Sequence, residues 1–265
     1  MKKHSKKITA FTLVELLAVI SVIAILLAVL MPALGAARQQ GKAIVCGSNI
    51  RQLVLANIGY ATENDGYYVP AASDMYLSNG GYHRWHGVRE NENDMFDPLK
   101  GPLVGYLGDG AVKECPEKVK FVKGQDWDDN FEQGCGGYGY NAAYIGSRLW
   151  QGRINENYQK TSRITEVARP AETVIFADCA MVKKRDGTIY YLEYSFAEPP
   201  LGSEGYTSPS IHFRHRKKAN IAWVDGHISS TERINFNRKN DYGVKSADFE
   251  IGWFGPLNNS LFDLK

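Results

Sequence analysis

Several things are scarce in this sequence, and each scarcity excludes a class of protein. Cysteine occurs four times in 265 residues, at Cys46, Cys115, Cys135 and Cys179, and never as Cys-x-x-Cys. Neither a dithiol redox motif nor a zinc ribbon is therefore indicated. Charge of one sign is missing too. The 31 basic residues nearly cancel the 29 acidic ones, leaving a formal +2, whereas a general nucleic-acid binder is strongly basic over its whole domain. A mean hydropathy of −0.33 is far below that of a polytopic membrane protein. A hydrophobic content of 44% with little net charge excludes intrinsic disorder. There is no internal repeat, no low-complexity linker, and no nucleophile-elbow, zinc-protease or paired-carboxylate motif. What remains on averages alone is an ordinary chain of one or two domains.

The apolar residues are unevenly spread. Residues 1–7 hold four lysines and no acid, while Leu16 to Ala37 holds no charge at all. A helix over that run is roughly 33 Å long, about one hydrocarbon thickness. It is apolar on every face, the pattern of a membrane span behind a basic cytoplasmic start. A cleaved secretory signal is the competing reading, with Pro32 to Ala37 as its small-residue region, but such signals use only about 7–15 apolar residues. Glu15 also stands near the start of the run. A carboxylate in hydrocarbon costs about 2.5–3.5 kcal/mol even on the lenient insertion scale, so it calls for a partner.

The segment Lys6-Lys7-Ile8-Thr9-Ala10-Phe11-Thr12-Leu13-Val14-Glu15-Leu16-Leu17 resembles the prepilin cleavage and methylation motif of type IV pilins and type II secretion pseudopilins. The resemblance implies that a prepilin peptidase cuts between Ala10 and Phe11 and N-methylates Phe11. Ala10 stands where the family usually has Gly. It further implies that Glu15 pairs with the Phe11 α-amine of a neighbouring subunit as helices pack into a filament. The implied partners are the peptidase/N-methyltransferase, other pilin-like subunits and the bacterial inner membrane, with no nucleic acid. The N-terminus would be cytoplasmic and the globular domain periplasmic or exported. Loss of the leader would turn the formal charge from +2 to −2.

Beyond the anchor the helix becomes amphipathic. Cys46, Ile50, Leu53, Asn57 and Ala61 recur every three or four residues, widened by Val54 and Ile58. Pro32 is expected to kink or loosen the helix, and Asn64-Asp65-Gly66 to end it, with Gly66 as the cap. The expected organisation is a leader at 1–10, a membrane or filament-core helix at 11–34, its amphipathic continuation at 35–66, and an exported domain at 67–265 with a loop-rich insertion at about 71–170. Strands are expected at Thr173–Ala177, Ile189–Tyr194 and Ile221–Val224, with hairpin turns at Asp186-Gly187 and Asp225-Gly226. The fold class is α+β: a long N-terminal helix on a mainly antiparallel, pilin-like sheet.

His215, nine residues and then Asp225-Gly226 resembles a C-terminal motif found with pilin-type N-termini in large bacterial paralogue sets. Cys46-Gly47-Ser48-Asn49-Ile50-Arg51-Gln52-Leu53, Cys115-Pro116 and Tyr138-Gly139-Tyr140-Asn141 resemble the same group. The resemblance implies a secretion or surface-filament subunit and nothing about a substrate; no enzyme is expected. His212, His215, Asp225 and His227 offer zinc-type donors, but their spacing fits no metal motif. The expected role is structural, with His215 bonding a carbonyl or Asp225 to hold the hairpin.

No metal or cofactor is expected, save that Asp126, Asp128 and Asn130 form a weak calcium candidate. Arg214 to Lys218 reads as a charged hairpin tip that discourages edge pairing. In an exported domain the four cysteines are disulfide candidates, with Cys115–Cys135 preferred. A second class of function is a membrane-anchored enzyme or carbohydrate-binding domain, for which Trp85, Trp127 and Trp150 would suit sugar stacking.

Overall fold

A computed structural model describes residues 12–75, 77, 80–108, 110–117, 119–122, 132–148, 159–236 and 238–265. The chain divides into two compact units, Met1–Gly41 and Lys42–Lys265.

In the first unit the described residues are almost all helix. The helix α1 spans Leu13–Glu63 and runs unbroken through Pro32, so the missing proline N–H does not interrupt it. Its start is capped by Thr12 and Glu15. The Glu15 N–H donates to Thr12 Oγ1 at 3.3 Å, while the Thr12 N–H and hydroxyl both donate to Glu15 Oε2, at 2.9 and 2.7 Å. This is a capping box, two side chains satisfying donors that a helix start leaves open. Leu16, Ile20, Ile23, Leu27 and Leu30 stand 46–59% exposed. The helix is long and apolar enough to cross a membrane.

The second unit is built around the far end of α1. Cys46, Ile50, Leu53, Val54, Asn57 and Ala61 are buried, which is the stripe the spacing predicts. The helix stops where expected. Asp65 and Gly66 take positive φ, +52° and +81°, and the Gly66 N–H donates to Ala61 O at 2.9 Å, the long-range bond of a Schellman cap.

Short elements follow: β1 (His83–Arg84), β2 (Gly87–Val88) and β3 (Tyr138–Tyr140). Then come β4 (Val174–Asp178), β5 (Met181–Arg185) and β6 (Thr188–Leu192), and β7 (Leu201–Gly202), β8 (Gly205–Tyr206) and β9 (Ile211–His212). The last are β10 (Lys218–Trp223), β11 (Ile228–Glu232) and β12 (Ile251–Gly252). The largest sheet has the antiparallel order β11-β10-β4-β3. The sequence-predicted strands are recovered as β4, β6 and β10, each shifted by a residue or more.

Both predicted turns are present. Asp186 and Gly187, at φ +50° and +81°, join β5 to β6. Two consecutive positive φ values match the right-handed twist of the strands they connect. Gly226, at φ +91°, closes β10 onto β11.

Side chains pack on both faces of the sheet. Ala222 and Val224 join a core that contains Ile50, Leu53 and Val54 of α1 together with Trp85, Tyr140 and Phe176. Ile221 and Trp223, pointing the other way, join Val174, Phe213, Phe254 and Phe262. That alternation explains why β10 reads as a continuous apolar run rather than a half-polar one.

Asn57 is the polar member of the helix stripe and is fully buried. Its Oδ1 accepts the Val69 N–H at 2.9 Å, fixing the chain just after the helix turns back. Asn57→Ala leaves that buried donor without an acceptor, so a loss of about 1–3 kcal/mol is expected, read as a lower urea midpoint with an unchanged slope.

Candidate functional site

The most concentrated reactive chemistry among the described residues lies where α1 meets the sheet. Cys46 comes from α1, Cys115 from the insertion, Asp178 from the end of β4, and His215 from the turn between β9 and β10. One ligand-type atom from each lies within 4.8 Å of all the others. The Cys46 thiol donates to Asp178 Oδ1 at 3.0 Å. His215 Nε2 stands 3.5 Å from Cys115 Sγ and 3.4 Å from Asp178 Oδ2. Cys46, Asp178 and His215 are buried, and Cys115 is half-buried.

Each member is held by backbone structure. The Asp178 carboxylate is oriented by the Asn220 N–H, which donates to Oδ2 at 2.8 Å across the β4–β10 pairing. Cys115 is fixed by its N–H to Gly136 O at 3.0 Å. Asn49, one turn along α1 from Cys46, donates to Glu114 O at 3.3 Å and so ties helix to loop. His215 begins a two-residue turn: its N–H donates to Lys218 O at 2.9 Å, and the Lys218 N–H returns the bond at 3.1 Å. Arg216 and Lys217 occupy that turn at φ +54° and +65°, a conformation costly for non-glycine residues.

Charge explains how an acid survives here. Burial alone would push the Asp178 carboxyl up, but the His215 hydrogen bond and the Arg214 charge hold it below the usual range. Arg214 is anchored on two carbonyls, Gly137 O at 2.9 Å and Cys179 O at 2.5 Å. The neighbouring Cys46 thiol brings Cys115 down to about 5, with His215 and Arg214 adding to it against burial. Burial works against a charged His215, yet its bonds to Asp178 and Cys115 raise it to about 9. Burial pushes the Cys46 thiol well up. Donors of this kind serve two chemistries. Adjacent thiols can oxidise to a disulfide, and thiolate, imidazole and carboxylate together ligate a divalent metal.

The structure gives the His215 side chain partners other than the expected ones. His215 does not bond Asp225. The two lie at opposite ends of β10, whose six residues span roughly 20 Å. Asp225 instead bonds His227: Oδ1 accepts the His227 N–H at 3.0 Å and lies 2.7 Å from its Nδ1. The His227 ring stacks on Trp223. His212 is buried and stacked on Tyr191, outside the cluster.

The basic run also divides. Arg216, Lys217 and Lys218 are exposed at the tip, whereas His215 is buried and Arg214 turns inward. The four cysteines carry free thiols, and the structure brings Cys115 to Cys46 rather than into a link with Cys135. Trp85 is buried, its indole N–H donating to Ser195 O at 2.8 Å, so it offers no stacking platform. Ala10, Phe11, Trp127, Trp150 and the calcium candidates Asp126, Asp128 and Asn130 lie outside the described residues.

Sequence reasoning passed over two members of this site and one cap. Asp178 interrupts the apolar run from Val174 to Val182, and a lone acid inside a buried strand is itself a signal. Arg214 carried no such mark. The Thr12-x-x-Glu15 spacing was a legible capping box.

A second buried polar network is built on one ion pair. Arg84 Nε donates to both oxygens of Glu132, at 2.9 and 3.0 Å, and both side chains are sealed from water. The Ser195 hydroxyl donates to Glu132 Oε2, and His86 Nε2 lies 3.8 Å away. Burial would raise the Glu132 carboxyl; Arg84, His86 and Ser195 together hold it below its ordinary value of 4.5. A depressed acid stabilises the fold above its unfolded pKa, and the stabilisation is lost as pH falls through the folded value. Glu132→Gln removes the carboxylate that Arg84 Nε holds and leaves Asp74, 3.9 Å from Nη1, as its acidic neighbour, with an expected cost of about 1–3 kcal/mol at pH 7. Denaturation followed by tryptophan fluorescence should show that deficit shrinking as the wild type is acidified below about pH 4.5.

No protein-family model, no curated protein and no solved structure matches this chain.

Proposed function

We propose that this chain is a pilin-like structural subunit of a type II secretion or type IV pilus-like assembly. Prepilin peptidase would process it at Ala10–Phe11, and α1 would hold it in the bacterial cytoplasmic membrane. The observation that carries the reading is the motif from Lys6 to Leu17, in which Glu15 opens a helix whose apolar residues stand exposed. An exposed stripe of this kind needs lipid or other helices around it. A helix serving only as an anchor has no use for Glu15 beyond its cap.

The capping box bears on how Glu15 would act. Thr12 takes up one carboxylate oxygen, Oε2, and an ionised carboxylate has about four acceptor positions. Glu15 can therefore cap its own helix and accept a neighbour's α-amine at once. In low dielectric either charge alone is costly and the pair is favourable, so pairing would set the axial register between subunits.

Two measurements test the proposal. Mass spectrometry of the mature protein should find N-methylated Phe11 at its start; a start near Ala36 or Arg38 would sink the reading. Glu15→Ala subunits should reach the membrane normally yet be depleted by at least about tenfold from sheared filaments, as expected for a pairing worth more than about 1.4 kcal/mol. Equal incorporation would leave Glu15 as a cap alone.

A further inference from the structure

We propose that Cys46, Cys115, Asp178 and His215 bind a structural zinc ion. The geometry is that of a ligand shell. Zinc bonds of about 2.0–2.3 Å at tetrahedral angles place neighbouring ligand atoms roughly 3.3–3.8 Å apart. The cluster has Cys115 Sγ to His215 Nε2 at 3.5 Å and His215 Nε2 to Asp178 Oδ2 at 3.4 Å, both inside that range, and Cys46 Sγ to Asp178 Oδ1 at 3.0 Å, a little short of it. All four donor atoms fall within 4.8 Å of one another, a convergence that a disulfide between Cys46 and Cys115 would not require of an imidazole and a carboxylate.

The charge closes as well. Two thiolates and a carboxylate sum to −3, Zn²⁺ brings this to −1, and Arg214, held close by Gly137 O and Cys179 O, makes the assembly neutral. A buried metal centre of zero net charge avoids the large cost of an uncompensated ion. The Asn220 N–H on Asp178 Oδ2 supplies the outer-shell support that keeps a ligating carboxylate oriented.

The site is closed, since four protein ligands leave no position for substrate, which is the mark of structural rather than catalytic zinc. Its ligands come from the helix, the insertion, β4 and the β9–β10 turn, so one ion would fasten four otherwise separate segments. Binding releases two protons, that of the Cys46 thiol and the one held between Cys115 and His215, and His215 ligates as the neutral imidazole through Nε2. No oxidant or other reactant is needed.

The test uses the full chain in detergent micelles, purified under reducing conditions, exposed to zinc and dialysed into metal-free buffer. Elemental analysis should find about one zinc per chain, as for a closed four-ligand site. Cys115→Ser and His215→Ala should each lower retained zinc by at least about tenfold, while Cys135→Ala, outside the shell, should keep it. Far-ultraviolet circular dichroism checks that the variants fold. Should they fail to fold, cobalt(II) added to metal-free wild type decides: thiolate-to-cobalt charge-transfer bands with intense tetrahedral d–d absorption support the site, and a weak octahedral spectrum overturns it. Zinc-free folded wild type, zinc retained by both ligand variants, or protein isolated with Cys46 and Cys115 oxidised to a disulfide would each overturn the proposal.

Discussion

The second unit is organised around a carboxylate denied water. Asp178 ends a strand whose every residue is buried, and an isolated charge there would be prohibitive. Its neighbours share the compensation: a thiol from the helix, an imidazole from a tight turn, a backbone N–H from the adjacent strand, and a guanidinium pinned by two carbonyls. These groups arrive from the helix, the β9–β10 turn and β10, so the acid is satisfied only when helix and sheet have both reached their places. A hydrophobic core tolerates small slips, because apolar contact is not directional. Hydrogen bonds to a buried charge do not, and they convert a merely compact arrangement into one register.

A parallel division holds along α1. The same helix carries a run apolar on all faces and then a narrow stripe with Cys46, Asn57 and Ala61 among its buried members. Each half suits a different surrounding. The first offers no polar handle beyond Glu15 and Ser21, whose hydroxyl is spent on Leu17 O, and so gains from any apolar medium. The second places polar groups, the Cys46 thiol and the Asn57 amide, where single partners meet them. Generic burial and specific docking thus occupy consecutive stretches of one element.

How much of this was legible follows from the range of the interactions. Periodicity and turn chemistry are local, so the helix stripe, the Gly66 cap, the Asp186-Gly187 and Asp225-Gly226 turns and the main strands could be read directly. The cluster could not, because its members are brought together by strand order rather than spacing. Nothing near Cys115 in sequence indicates that it meets Cys46, and His215 sits beside Asp178 only because β10 pairs with β4. The His215 motif misled for a related reason. Nearness in sequence suggested contact with Asp225, but an extended strand between two residues separates them.

That separation gives the nine-residue interval a meaning of its own. It measures one strand, β10, with a turn at either end: His215 opens the first turn, and Asp225 and Gly226 form the second. Strand side chains alternate between faces, so lengthening the interval by one residue would flip all that lies beyond it to the opposite side. Were Asp225-Gly226 kept in place, His215 would leave the buried cluster for the far face of the sheet. The motif is thus better understood as a ruler than as a site, fixing the distance and the facing between a histidine that enters the core and a turn that never does.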